Sequence, residues 1–418
     1  MNSSSSSSSR IQLLLNQLSA GRKETSSSQP VLSSLDFCFF DDLLTPEEVK
    51  LRKEVREFAE KEVVPIANEY YEKAQLPEDL IIKIGQQRWT KLFAKKPYGD
   101  GGNPMSLALI VMELARGDPS IASFVLIQAG LVIYTVESFA SEEQKKKLLP
   151  GMLDFKIVSG WGLTEPLIGS DASNLTTSAK KANGGYVLNG GKRWIGSANR
   201  DMTILWARNE ESKKIECFFV PKGTPGVEIE VIKNKLALRT VQNCHITYKD
   251  AFIPEENRLP GADKGFGSTN QVLEHSRVFV AWVAVGIALG VYDNTIKYIN
   301  GRTQFGVKIS SFQLMQEKLS RMMGHIQAML LMVWRTTRLY EAGKLTIARA
   351  AMTKAWTTKI CREVAHLGRE MMGGNGIIID NYAMKAVADI ETVYTYEGTY
   401  DINSLVCARE LTGIPAFK

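Results

Sequence analysis

Apolar positions along the chain change their period twice. In "LLTPEEVKLRKEVREFAEKEVVPIANEYYEKA", Leu51, Val55, Phe58 and Ala59 recur at helical spacing. Thr45 with Glu48 three residues later makes a capping box, and Pro46 takes the first helical position. "SLALIVMELARGD" and "SEEQKKKLLPGML" continue the pattern, so residues 37–157 read as a helical domain. From 158 onward the texture becomes short runs of β-branched and aromatic residues. "MTILWARN", "KKIECFFVPK" and "HITYKDAFIP" are separated by Gly, Asn and Pro. Asn189-Gly190 signals a hairpin, and 158–268 reads as an antiparallel β domain. Four long helical segments follow, at 272–301, 312–342, 347–372 and 383–411. Short loops join them, which predicts a four-helix bundle over 269–418. The fold class is therefore α+β, ordered helices, sheet, helical bundle.

Composition narrows the function classes. Hydrophobic residues are 44% and charged residues 23% of the 418, ordinary for a protein with a large core. The net charge of +6 is spread out, with no run of five like charges. That suits phosphorylated small molecules, and no nucleic-acid-binding signature is present. The five cysteines form no CxxC, and neither a metal site nor a disulfide framework is expected. The most apolar stretch, "VFVAWVAVGIALGVY", reads as a helix buried in protein rather than a membrane span. No GxGxxG follows a strand to open a helix, which excludes a Rossmann dinucleotide site. Residues 1–36 are serine-rich and read as a disordered or targeting segment.

Within "YTYEGTYDIN", Glu397 stands among three tyrosines and before a glycine. By itself it reads as a helix-terminus residue. Together with "LTEP..GSDAS" (163–173), "GKRWIG" (191–196), "NRLPG" (257–261), "SRVFVAW" (276–282), "RTQFG" (302–306) and "LGREMMGGNGI" (367–377), the order of segments resembles the acyl-CoA dehydrogenase and oxidase family of flavoproteins. The resemblance covers residues 40–418 and leans toward the short-chain acyl-CoA oxidases of plant peroxisomes.

The resemblance implies FAD as cofactor and an acyl-CoA as substrate. It makes Glu397 the base that takes the α-proton of the thioester. Leu163, Thr164, Gly169, Ser170, Trp194, Ile195 and Gly196 would lie along the flavin, with Trp161 as a second aromatic wall. Arg302, Gln304, Phe305, Gln313, Gly373 and Gly374 would reach the cofactor of a neighbouring subunit, implying a homodimer or homotetramer. Arg302 has the fork that a pyrophosphate takes. Thr399 and Asp401 also match cofactor positions. Ser170, Glu274, Arg277, Tyr396 and Gly398 would meet the acyl-CoA. The resemblance gives His275 no role. Leu167 and Ile168 stand where relatives carry small or polar residues, and two bulky aliphatics there would narrow the thioester channel.

The expected reaction is oxidation of a short-chain acyl-CoA to the trans-2-enoyl-CoA in fatty-acid β-oxidation, with O2 as acceptor and hydrogen peroxide as product. Two alternatives stay open: a dehydrogenase serving an electron-transfer flavoprotein, and a homologue that binds acyl-CoA without turnover. Arg10, Ile11, Gln17 and Leu18 fit an N-terminal peroxisomal import pattern, with a mitochondrial address as the alternative.

Overall fold

The computed structural model describes residues 36–416. The N-terminal import pattern lies outside them. The chain begins with α1 (Pro46–Phe58), α2 (Ala67–Lys73), α3 (Glu78–Gln87), α4 (Thr90–Phe93), α5 (Pro104–Gly117), α6 (Pro119–Leu126), α7 (Tyr134–Phe139) and α8 (Glu142–Leu153). The capping box that opens α1 is formed as its sequence predicts. Thr45 Oγ1 accepts from the Glu48 amide at 3.3 Å, and the Glu48 carboxylate accepts from the Thr45 amide at 2.9 Å. Ser141 and Gln144 repeat the device at α8.

The sheet departs from the expected all-antiparallel domain. It contains β1 (Ser159–Gly162), β2 (Ser178–Ala182), β3 (Gly185–Gly196), β4 (Met202–Asn209), β5 (Ile215–Pro221), β6 (Val227–Val231) and β7 (Asn243–Pro254). β1 and β2 both run parallel to β4, in the path β1-β4-β2-β3-β7-β6, while β5 lies antiparallel to β4. Parallel pairing joins residues distant in sequence, so local turn signals do not announce it. The expected hairpin at Asn189-Gly190 is also absent. Gly190 lies inside β3 at a bulge against β7, and the β2–β3 turn is Asn183-Gly184. A side chain at Gly190 would strike Thr177, so the glycine serves close packing there.

The C-terminal half has five helices where four were expected. They are α9 (Phe266–Gly301), α10 (Gln313–Glu341), α11 (Ile347–Met371), α12 (Tyr382–Thr395) and α13 (Tyr400–Thr412). The last expected helix is broken in two at residues 396–399, the stretch that carries Glu397. Between α9 and α10 the chain makes a small hairpin of β8 (Thr303–Gln304) and β9 (Val307–Lys308).

α9 is the axis of this half. Val278 through Val291 are buried without interruption. Gly286 lets it press against α5, since a Cβ there would lie 2.2 Å from the Met112 carbonyl oxygen. Trp282 is fully buried and donates its indole N–H to Thr337 Oγ1 at 2.8 Å, joining α9 to α10. Truncating it to Ala costs about 3–5 kcal/mol. Among the described residues two segments, Pro119–Phe139 and Phe266–Gly301, are long and apolar enough by composition to cross a membrane, and the second holds the stretch read from the sequence as a buried helix. Nearly all of both is buried inside the protein.

Candidate active site

Glu397 occupies the break between α12 and α13. α12 ends where the Tyr396 amide bonds back to Thr392, and α13 starts at Thr399, whose Oγ1 accepts from the Ile402 amide at 3.2 Å. Between them Glu397 and Gly398 both take left-handed backbone, with φ of 56° and 88°. For glutamate that conformation costs about 1–2 kcal/mol. It persists only where surroundings over-determine it. Three side chains do so. Arg277 Nε donates to the Glu397 carbonyl at 3.0 Å. Lys354 Nζ donates to the carbonyls of Tyr394 at 2.9 Å and Gly398 at 2.7 Å. Asn403 Nδ2 donates to Gly398 at 2.7 Å and Thr399 at 3.1 Å. A Cβ at Gly398 would sit 2.9 Å from Asn403 Nδ2, so this position has no room for a side chain.

The carboxylate is held as firmly as its backbone. Ser276 Oγ, fully buried on α9, donates to Glu397 Oε2 at 2.6 Å. Burial pushes the Glu397 carboxyl above the ordinary carboxylate range, while the Ser276 hydrogen bond and the charges of Arg277 and Lys354 pull against it. Burial lowers the affinity of Arg277 for its proton, and Glu397 and Glu274 oppose that. Glu274 itself is raised, first by burial and then by Glu410, against the pull of Arg277. The Arg277 Nη1 atom is buried and has no hydrogen-bond partner among the described residues. A donor left in that state is suited to a bound oxygen ligand.

The loop after β1 makes a second polar centre. Lys192, fully buried on β3, donates to the Leu163 carbonyl and to Glu165 Oε1, both at 2.9 Å. Glu165 also accepts from the amides of Thr176 at 2.7 Å and Thr177 at 2.8 Å. The Thr164 carbonyl accepts from Arg193 at 2.8 Å. The loop is thus fastened to β3 while Gly169 and Ser170 remain exposed at its tip.

The two tryptophans separate. Trp161 is a core residue, edge-on to Trp206, with its N–H on Thr135 Oγ1 at 3.1 Å, so it walls no open surface. Trp194 keeps 51% of its surface exposed, with its backbone at φ 68° and its carbonyl tied to Asn243 Nδ2 at 2.9 Å. An exposed aromatic ring in strained backbone, beside a fastened loop with an open glycine tip, fits one face of a flat ring such as flavin. Ile195 and Gly196 are buried next to it, and Leu163 is buried too.

Another group of candidates lies elsewhere. Arg302, Gln304, Phe305 and Gln313 are exposed around the β8–β9 hairpin, and Gly373 and Gly374 are exposed beyond α11. At 1.5 Å per residue, Gly301 at the end of α9 is roughly 37 Å from Ser276. The hairpin residues therefore do not join the Glu397 group of their own chain. Thr399 caps α13, Tyr396 is partly buried beside Glu397, and Asp401 is exposed in the first turn of α13.

Leu167 is 96% exposed and Ile168 is half-buried, on the same loop as the exposed Gly169 and Ser170. His275 stacks on Tyr134 at 3.8 Å and shares a 2.5 Å hydrogen bond between Nδ1 and Tyr340, a packing role. Ser276, Lys354, Asn403 and Lys192 were not singled out from the sequence. A lysine inside the apolar pattern of "AAMTKAW" is a signal that was available, since lysine is seldom buried without a partner. Among the described residues no cluster of three or more His, Cys, Asp and Glu side chains is placed to hold a metal.

Comparison with known proteins joins these pieces. Residues 45–156, 160–251 and 263–412 match the family models for the acyl-CoA dehydrogenase N-terminal, middle and C-terminal domains. The mitochondrial short/branched chain specific acyl-CoA dehydrogenase of Bos taurus is 30% identical over 398 residues, covering 94% of this chain and 90% of that protein. The mitochondrial short-chain specific acyl-CoA dehydrogenase of Rattus norvegicus is 29% identical over 366 residues, 86% of this chain and 89% of that one. A glutaryl-CoA dehydrogenase from Mycobacterium smegmatis, solved in complex with FADH2, superposes with a TM-score of 0.89 at 29% identity over 93% of this chain and 100% of that chain. Helices, sheet and bundle thus match in one order, and the chain belongs to the acyl-CoA dehydrogenase family.

Proposed function

We propose that the protein is an FAD-dependent short-chain acyl-CoA dehydrogenase that delivers electrons to an electron-transfer flavoprotein. The observation that carries this reading is the Glu397 carboxylate, preset by Ser276 and fixed in left-handed backbone beside Arg277. A base must be held within reach of the proton it takes before any pKa argument applies. Glu397 takes the α-proton of the thioester. Arg277, with Glu274 beside it, binds the CoA portion, and Gly398 admits the substrate closely. Bound FAD supplies the acceptor for the β-hydrogen as hydride. Leu163, Thr164, Gly169, Ser170, Trp194, Ile195 and Gly196 hold its ring, with Thr399 and Asp401 near it. So fixed a carboxylate argues against a homologue that binds without turnover.

The choice of acceptor follows the relatives. Those described above carry dehydrogenase names, and two of those names place them in mitochondria. This favours a mitochondrial dehydrogenase over the peroxisomal oxidase suggested by the motifs. Arg302, Gln304, Phe305, Gln313, Gly373 and Gly374 serve the cofactor of a second copy of the chain, since the Glu397 of their own chain lies beside Ser276, far from the hairpin along α9. The test is anaerobic bleaching of the flavin by a short-chain acyl-CoA, followed by air. A flavin that stays reduced until an electron-transfer flavoprotein is added supports the reading. Prompt reoxidation, with one hydrogen peroxide per enoyl-CoA, would restore the oxidase.

A further inference from the structure

Lys354 is the least expected group near Glu397. It sits on α11 with 0% of its surface exposed, and its Nζ reaches only main-chain carbonyls, of Tyr394 and Gly398. Those two residues bracket Glu397. A buried ammonium is costly unless its donors are satisfied and a counter-charge is near. The two carbonyls account for two of its three donors, and among the described residues no carboxylate forms a salt bridge with it. Burial lowers the Lys354 ammonium to about 7, with Glu397 working against that and Arg277 adding to it, so its charge depends on the glutamate it faces.

We infer that Lys354 is a positioning residue for Glu397, clamping the loop on both sides of it and placing behind it an ammonium whose charge is coupled to the carboxylate. The inference rests on Glu397 being the base. A base must be ionised before the substrate arrives, yet the site buries its carboxyl, which favours the protonated and inactive form. The lysine offsets this without touching the carboxylate oxygens. They remain free for the substrate proton, apart from the one bonded by Ser276. A salt-bridging lysine would occupy the lone pairs that the reaction needs.

Other groups face the same carboxylate. Arg277 from α9 and Tyr396 from the loop do so directly, Glu274 acts on Arg277 and Asp389 of α12 on Tyr396, while the uncharged Asn403 of α13 donates to the Glu397 carbonyl. Arg277 donates to the Glu397 carbonyl, so Lys354 is the cation whose removal changes the charge behind the base while leaving that contact in place.

The test uses the full-length FAD-loaded protein and reads titration directly. Difference infrared spectra, with Glu397→Gln as the blank, follow the Glu397 carboxyl across pH in wild type, Lys354→Gln and Lys354→Met. Loss of a nearby opposite charge raises a carboxyl pKa by about 1 unit or more. Both variants are expected to shift the titration upward by at least that much, and Lys354→Gln, which keeps polar donors, retains more of the loop order. A second measurement leaves the lysine in place. In protein carrying 15N-labelled lysine, Glu397→Gln is expected to make one buried amine lose its proton at lower pH. Unchanged titration of Glu397 in Lys354→Gln, or no lysine that responds to Glu397→Gln, overturns the inference. Neither readout needs turnover. If acyl-CoA fails to bleach wild-type flavin while these shifts occur, the functional reading fails and the coupling of Lys354 to Glu397 stands.

Discussion

Ser276 Oγ donates a 2.6 Å hydrogen bond to Glu397 Oε2 across 121 residues of sequence. The serine is fully buried on α9, and the glutamate lies on the loop between α12 and α13. Glu397→Gln keeps shape and removes the base, so flavin reduction by acyl-CoA should fall about 10²–10⁴-fold with FAD still bound. Ser276→Ala removes a hydrogen bond to the charged form and should move the acid limb of the bleaching rate to higher pH. Stopped-flow bleaching from pH 5 to 9 measures both. A Gln variant that bleaches at near-normal rate would falsify the assignment of the base.

The buried pair of Lys192 and Glu165 gives a stability prediction. Burial works upward on the Glu165 carboxyl, but the charge and hydrogen bond of Lys192, with Thr176 and Thr177, hold it down at about 2. Lys192→Met leaves the carboxylate buried without its cation, a loss of about 3–5 kcal/mol. Urea unfolding should show that loss, together with weaker FAD retention as the Leu163 carbonyl loses its donor. The folded-state pKa of Glu165 is depressed, so its stabilisation is present above the ordinary value of 4.5 and lost as pH falls toward 2. The Lys192→Met/Glu165→Gln double variant should lose less stability over that range than wild type does.

Legibility of the fold divides by range. Thr45 and Glu48 are three residues apart, so the cap of α1 can be read locally, and so can the long apolar run of α9. The parallel pairing of Ser159 with Met202 joins two short apolar strands whose partners no local pattern names. The break at Glu397 was hidden for another reason. Tyr394, Tyr396 and Tyr400 continue an apolar texture through it, and Gly398 alone is tolerated inside helices. What fixes the break is Lys354, Arg277 and Asn403, from α11, α9 and α13. Residue types made Glu397 and Arg277 candidates through resemblance. Ser276 and Lys354 matter through contacts 40 or more residues away in sequence.

Asp389 predicts a pH dependence of opposite sign. Burial pushes its carboxyl up to about 7, with Lys385 opposing and Asp118 adding to the rise. Its Oδ1 accepts from the Leu238 amide at 2.6 Å, whereas Oδ2 is buried without a hydrogen-bond partner. The folded state therefore binds the proton more tightly than the ordinary value of 3.8 allows. Wild type should lose stability relative to Asp389→Asn as pH rises from about 4 to about 7, then hold a constant deficit. Asparagine can keep the acceptor that Leu238 uses. Melting temperatures of the two proteins across that range give the result, and a constant difference would exclude a titrating Asp389.

The distance between Arg302 and Glu397 predicts complementation between subunits. If Arg302 serves the cofactor of its partner, a site is built from the Glu397 of one chain and the Arg302 of another. Homogeneous Arg302→Ala protein should then lose FAD, and homogeneous Glu397→Gln protein should keep FAD without bleaching. In a mixed dimer, the Arg302→Ala chain supplies Glu397 and receives Arg302 from the Glu397→Gln chain, which makes one complete site. Random association of equal amounts in a symmetric dimer should restore about one quarter of wild-type sites. The measurement is the amplitude of flavin bleaching after the two variants are co-unfolded, mixed and refolded with FAD, against each variant treated alone. Were Arg302 to act on the cofactor of its own chain, every chain in the mixture would lack either arginine or base. No activity would then return at any mixing ratio, and the hairpin would have to fold back toward its own site across the length of α9.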